Sequence, residues 1–216
     1  MDSNDKMAYN NMHEILASLA AHNKMVFTIN DAAKAMGKSK HYASKLLSSN
    51  KEVERVERGK YYIKSGNVDI YEIASQIVFP SYVSGFAALR HYSLIEQEVV
   101  KYTVVTIKRH KQINAAGFSI EFVTFPKSRF FGYKKSSGAY IATVEKAIVD
   151  SLYMRSPPYS YVSEALDNAF HKGMINPNAL MNFAREMKSK KVAVQIESLL
   201  RAKKTNVQKA TTTAIR

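Results

Sequence analysis

The most constraining feature of this chain is the order of patterns in residues 27–63, FTINDAAKAMGKSKHYASKLLSSNKEVERVERGKYYI. Two short helical patterns and two strand patterns succeed one another with only turn residues between them. Thr28, Asn30 and Asp31 can each accept a hydrogen bond from the free amides that open a helix. Ala32, Ala33, Ala35 and Met36 then carry an apolar face at helical spacing. Gly37 stands where a chain leaving a helix turns through positive φ, and Ser39 offers a cap for a second helix reaching about Ser49. The spacing predicts a helix-turn-helix.

In the second helix Ala43, Leu46 and Leu47, with Tyr42 beside them, form an inward face. Lys38, Ser39, Lys40, His41, Ser44, Lys45 and Ser48 fill the other face, which is cationic and hydroxylic. Such a helix can lie in the major groove of DNA. Lys40, His41 and Ser44 are the candidates for base edges, while lysines and serines meet phosphate oxygens. Residues 53–56 and 60–63 are strand-like runs joined through Glu57, Arg58 and Gly59, with Val56, Tyr61 and Ile63 turned inward. This reads as a hairpin wing with Arg58 and Lys60 at its tip, the side-chain type that neutralises backbone phosphate. The candidate DNA-binding set is therefore Lys38, Ser39, Lys40, His41, Ser44, Lys45, Arg58 and Lys60. A trihelical winged unit can also be a protein-interaction module; the basic context favours DNA. Residues 11–23 supply the first helix through Met12, Ile15, Leu16 and Leu19, and His13 and His22 are read as surface residues with no partner at metal-ligand spacing.

A net charge of +14 points to an anionic partner. Residues 1–65 hold 11 Lys/Arg against 7 Asp/Glu, so most of the excess falls after them. Within residues 101–135, eight Lys/Arg face the single Glu121. Lys108, Arg109, Lys111, Arg129, Lys134 and Lys135 are accordingly candidates for a secondary DNA contact, with general solubility as the blander account. The segment RFFGYKK alternates basic and aromatic residues in a way that can stack nucleobases. Core and cross-strand packing of Phe130, Phe131 and Tyr133 is the favoured reading.

At 216 residues and 46% hydrophobic composition, the chain can hold one large or two modest cores. With no cysteine it has no disulfides, thiolate metal sites or cysteine nucleophiles, and it is compatible with a reducing compartment. The polar start and the lack of an apolar run near ~18 residues predict a cytoplasmic protein with no membrane partner.

Beyond Ser65, Gly66 and Asn67, taken as the junction, a helix is expected over residues 68–78. Ser84 is expected to cap a second helix, containing Phe86, Ala87, Ala88 and Leu89 and ending near His91 or Tyr92. Residues 102–107 and 119–125 are the clearest strands. A helix entered at Thr143 and three more, over about 161–171, 177–188 and 190–203, complete the pattern. The expected fold class is α+β: an N-terminal winged helix-turn-helix domain over 1–66 and a mixed α/β domain over 67–205. Residues 206–216, without apolar periodicity, are expected to form a frayed tail.

Glu145 and Asp150 lie five apart and share no helix face, and neither has a neighbouring His or second acid. Ser84-Gly85 reads as a cap before a nucleophile, and no GxSxG, HExxH or phosphate-cradling glycine loop is present. No catalytic residue, metal ligand or cofactor site is assigned, and the expectation is a non-enzyme.

The segments RVERGKYYI, YVSGFAALRHYSL, RFFGYKK, IATVEKAIVDSLY and KSKKVAVQIESLL, in this order over most of the chain, resemble the AbiEi family of antitoxins and autorepressors of type IV toxin-antitoxin systems. The resemblance implies an N-terminal domain that binds repeats in its own promoter. It also implies a C-terminal domain that counters a nucleotidyltransferase-type toxin encoded beside it. Neutralisation in type IV systems need not involve a stable complex, so the resemblance implies double-stranded DNA as a partner more directly than contact with the toxin. Two other classes stay open: a nucleic-acid-processing enzyme whose basic sheet holds substrate, and a stand-alone regulator whose C-terminal domain senses a ligand.

Overall fold

The structure, a computed structural model, describes the backbone of residues 3–22, 24–64 and 69–214 and the side chains of 12–22, 24–64 and 69–203. The expected junction at Ser65, Gly66 and Asn67 lies outside them.

The N-terminal unit is built from α1 (Ser3–Ala21), β1 (Val26–Thr28), α2 (Ile29–Met36), α3 (Lys40–Ser49), β2 (Val53–Glu57) and β3 (Lys60–Ile63). Of the three acceptors available before α2, Thr28 is the cap: its Oγ1 accepts from the Asp31 amide at 3.2 Å while the Asp31 carboxylate takes the Thr28 amide at 2.8 Å. Gly37, at φ +62, turns the chain out of α2, and Ser39 accepts from the Tyr42 amide at 3.2 Å to open α3. Met12, Leu16, Phe27, Ala32, Ala43, Leu47, Tyr61 and Ile63 bury themselves between the helices and an antiparallel sheet of order β1-β3-β2. β1 has no counterpart in the sequence reading. Its three residues become a strand by registering Val26 with Tyr62 and Thr28 with Lys60.

The rest of the chain runs α4 (Ile70–Gln76), β4 (Ser81–Ser84), α5 (Gly85–His91), β5 (Lys101–Thr106), β6 (Ile113–Ala115), β7 (Phe118–Thr124), β8 (Tyr133–Ser136), β9 (Ala139–Ala142), α6 (Val144–Met154), α7 (Tyr159–His171), α8 (Pro177–Glu186) and α9 (Lys190–Ala214). Its six strands form one mixed sheet of order β6-β7-β5-β4-β9-β8, with β5 parallel to β7 and β4 parallel to β9. The molecule is thus a mixed α/β fold with two sheets. α9 carries helical backbone to Ala214, through residues expected to form a frayed tail from 206; extending an existing helix needs no new nucleation, and alanine and lysine sustain it.

Alternation along the central strands divides the core. Tyr82 and Val105 point to one face, where Leu89, Ile148, Leu166, Leu180 and Ile196 cover them. Val83 and Val104 point to the other, covered by Ile70, Ile73 and Ile77 together with Val26 and Tyr62 from the small sheet. The two units therefore share a core. Among the described residues no helix is long and apolar enough to cross a membrane.

Candidate nucleic-acid interface

Residues 32–51 contain five lysines, one histidine and no aspartate or glutamate. The fold concentrates that imbalance on one surface. Ala43 and Leu47 anchor α3 in the core, leaving Lys38, Ser39, Lys40, His41 and Lys45 exposed and Ser44 half-buried. Leu46 is half-buried too, whereas Tyr42, expected beside the apolar face, is 41% exposed on the cationic side. It is the residue of this surface that the sequence reading missed. Its position one residue before buried Ala43 was the available signal.

Four carboxylates of the unit are paired with other cations. Asp31 pairs with Lys24 at 2.9 Å, Glu52 with His13 at 3.0 Å, Glu54 with Lys64 at 3.4 Å and Glu57 with Lys60 at 2.8 Å. Burial alone would push the Asp31 carboxyl up; the Lys24 ammonium and the Thr28 donors outweigh it and hold the group below the usual carboxylate value. Among the described residues, Lys38, Lys40, Lys45 and Arg58 have no carboxylate within ion-pair distance. α3 adds the open amides of its own N-terminus, with no acid in the first turn.

Two expected contacts are corrected. Lys60 is not at the open tip: its ammonium is held by Glu57 and donates to the Ile77 carbonyl at 2.7 Å. Arg58 alone of the pair is exposed. Arg129 is turned into the protein, its Nε donating to the Met187 carbonyl and its Nη1 to the Tyr153 hydroxyl, each at 2.7 Å, with the guanidinium 4.8 Å from the centre of the Tyr153 ring. Sequence supplies the charge of such residues but not the carbonyl that claims it.

The other five candidates of the basic sheet divide between its two edges. Lys108, Arg109 and Lys111 are exposed on the loop between β5 and the edge strand β6. Lys134 and Lys135 are exposed on β8, the opposite edge. Lys135 there lines a groove of about 330 Å³ with Lys24, Phe79 and Tyr140. Phe130, Phe131 and Tyr133 pack against the core, Tyr133 stacking on Tyr82 with ring centres 4.7 Å apart.

A second polar cluster lies inside. Lys146 and Asp150 are both 0% exposed and meet at 2.6 Å, one turn apart on α6. The Lys146 ammonium also donates to the Arg129 carbonyl at 3.0 Å and the Met187 sulfur at 3.2 Å, and lies 4.1 Å from the centre of the Phe131 ring. Asp150 accepts from the hydroxyls of Ser84 at 2.8 Å and Tyr82 at 3.1 Å. Ser84 therefore stands at the start of α5 without capping it by its side chain. Burial pushes the Asp150 carboxyl up and the Lys146 ammonium down, and their mutual attraction opposes both shifts. Burial likewise drives the Tyr82 hydroxyl far above its ordinary value, reinforced by the Asp150 charge. The cluster is saturated and closed to solvent, which suits holding α6 to β4 rather than turning over a substrate. Gly132 is required there, since a side chain would place its Cβ 3.0 Å from that of Lys146. Glu145, at the start of α6, accepts from the Asn176 amide at 3.1 Å. Among the described residues no group of three or more His, Cys, Asp or Glu is placed to hold a metal ion.

No family model matches the chain, and no curated protein matches its sequence. Among solved structures the chain is similar to the RV2827C protein from Mycobacterium tuberculosis, with a TM-score of 0.52 and 12% identity, covering 89% of this chain and 81% of that one. At that identity the likeness is one of fold.

Proposed function

We propose that this chain binds double-stranded DNA as a winged helix-turn-helix protein, α2 and α3 forming the helix pair and β2–β3 the wing, and that it represses its own promoter. The carrying observation is the sorting of charge in the N-terminal unit. Carboxylates at positions 31, 52, 54 and 57 pair with cations outside α3, while Lys38, Lys40, Lys45 and Arg58 are exposed and, among the described residues, have no carboxylate partner. Such a surface repels itself in isolation and gains by releasing counterions from a phosphate backbone. Lys40, His41 and Ser44, in the first half of α3, are the residues proposed to reach base edges. Tyr42 and Lys45 are placed to meet phosphate. The proposal extends to an antitoxin of the AbiEi type, its C-terminal unit opposing a nucleotidyltransferase-type toxin, and that part rests on the segments that resemble the family.

The test is fluorescence anisotropy with a duplex of the gene's own upstream region across a salt series. The parent should weaken steeply, and Lys40→Ala, Lys45→Ala and Arg58→Ala should each flatten the log–log slope by about 0.9. Slopes equal to the parent's would remove these residues from the phosphate contacts and the reading with them.

A further inference from the structure

Resting on that DNA reading, we infer that the β5–β6 loop, residues 107–112, is a second phosphate-contacting element of the same surface, and that Glu57 and His110 lock it to the wing. β2 lies against β6, which brings the loop of the C-terminal unit beside the end of the hairpin. Glu57, the last residue of β2, presents one carboxylate oxygen to Lys60 at 2.8 Å and the other to His110 Nε2 at 3.0 Å. His110 Nδ1 faces the Lys111 carbonyl oxygen at 2.8 Å, and its ring packs on Phe122 with centres 4.5 Å apart. Both nitrogens of the ring are engaged. The histidine side chain is only 16% exposed and that of Glu57 20%, so the lock sits in a partly dry seam.

The charge follows from this arrangement. Glu57, the carboxylate that reaches the loop, is occupied by Lys60 and His110. Burial would push its carboxyl up, but Lys60 and then His110 hold it below its ordinary value. Lys108, Arg109 and Lys111 are left exposed, and among the described residues no carboxylate pairs with them. The loop backbone is held as well. The Lys108 amide donates to Thr106 Oγ1 at 3.2 Å and the Lys108 carbonyl accepts from Thr124 Oγ1 at 3.4 Å, while the Gln112 side chain donates through Nε2 to Ser119 Oγ at 2.8 Å. A loop ordered before it binds loses little conformational freedom on contact. Arg58 follows Glu57 in the hairpin turn and Arg109 and Lys111 flank His110, so the Glu57–His110 contact brings the cations of the wing and of the loop to one edge. Lys134 and Lys135, at the opposite edge of the sheet, are outside it. Contacts of this kind add affinity without reading sequence.

The experiment uses the full chain, a duplex of its upstream region and a mixed-sequence duplex of equal length. Replacing Lys108, Arg109 and Lys111 together by glutamine should flatten the salt slope by about 2.7 on both duplexes, for three contacts, and leave the ratio of their affinities unchanged. Lys134→Gln/Lys135→Gln should keep the parent slope. His110→Ala, which keeps the three cations but frees the loop, should weaken binding while retaining most of the parent slope. An unchanged slope in the triple variant, in a protein whose slope Lys40→Ala does flatten, overturns this inference and leaves the α3 reading standing. A parent with no salt-dependent binding to either duplex overturns both. Parental affinity in His110→Ala overturns the lock.

Discussion

Lys146→Met deletes one charge from the most enclosed ion pair of the protein while keeping the volume that fills it. In the parent, three acceptors surround the ammonium and two hydroxyls complete Asp150. In the variant the carboxylate keeps Ser84 and Tyr82 and loses its cation. Breaking a buried pair from one side costs about 3–5 kcal/mol, because the remaining charge is uncompensated. At ~2–4 °C per kcal/mol for a chain of this length, the melting temperature should fall by about 6–20 °C. The loss has a pH signature. Burial already raises Asp150, and removing Lys146 raises it further, so its folded value stands above its unfolded one. Such a carboxyl favours the folded state while protonated, below its unfolded value, and that contribution is lost as pH rises through the folded value. The deficit against the parent should therefore shrink as pH is lowered from neutrality. Lys146→Met/Asp150→Leu should recover part of the loss, short of the parent because Ser84 and Tyr82 then lack an acceptor, at about 1–3 kcal/mol. Thermal melts by circular dichroism of parent, single and double variants at neutral and mildly acid pH provide the measurement. A single variant within about 1 kcal/mol of the parent, or one whose deficit grows on acidification, would refute the account of the cluster as a stability element.

Two other outcomes follow from the placement of cations and of the core. Arg129→Lys should lower thermal stability by about 1–3 kcal/mol, because a point charge cannot keep both the Met187 carbonyl and the Tyr153 hydroxyl, and should leave the salt slope of DNA binding at the parent value. A flattened slope in a folded variant would return Arg129 to the DNA surface. Residues 67–216 alone should be poorly soluble, because Ile70, Ile73 and Val104 lose the cover of Val26 and Tyr62; under the antitoxin proposal, full-length Lys40→Glu/Lys45→Glu should lose promoter binding yet still protect cells from a nucleotidyltransferase-type toxin encoded beside it. Loss of protection in that folded variant would tie neutralisation to the N-terminal surface.

What the sequence displayed was local. Thr28, Gly37 and Ser39 each act within four residues of themselves, so α2, the turn and α3 could be placed from spacing alone. β1 and β6, three residues each, and β4, four, have no such signature. They are strands because Tyr62, Ile120 and Val105 lie opposite Val26, Ile113 and Tyr82. The same limit governs the candidate site. Lys60 and Arg129 look like any other exposed cation until the fold brings the carbonyls of Ile77 and Met187 to them. Lys146–Asp150 is the opposite case, visible as an i, i+4 pair in the apolar run of α6, where one turn of helix sets the ammonium against the carboxylate. Ser84 was assigned by position to a cap, and its hydroxyl is claimed by Asp150, 66 residues away.

Among the described residues, polar contacts of Gln76, Lys60 and His110 cross between the units and reach different parts of the small sheet. Gln76 at the end of α4 accepts from the Met25 and Val26 amides at 2.9 and 3.1 Å and donates to the Gly138 carbonyl at 3.2 Å. Lys60 ties the start of β3 to the Ile77 carbonyl, and His110 ties the end of β2 to the β5–β6 loop. These contacts fix the edges of a sheet whose middle is already sealed by Tyr62. Rotation of the wing about any one bridge would break the other two and open buried apolar surface, so the hairpin moves with the C-terminal unit or not at all. Under the DNA reading, the angle between wing and duplex is then a property of the junction. On that reading Gln76 and the Ile77 carbonyl, which hold β1 and Lys60 to α4, would act as positioning residues for the DNA contacts.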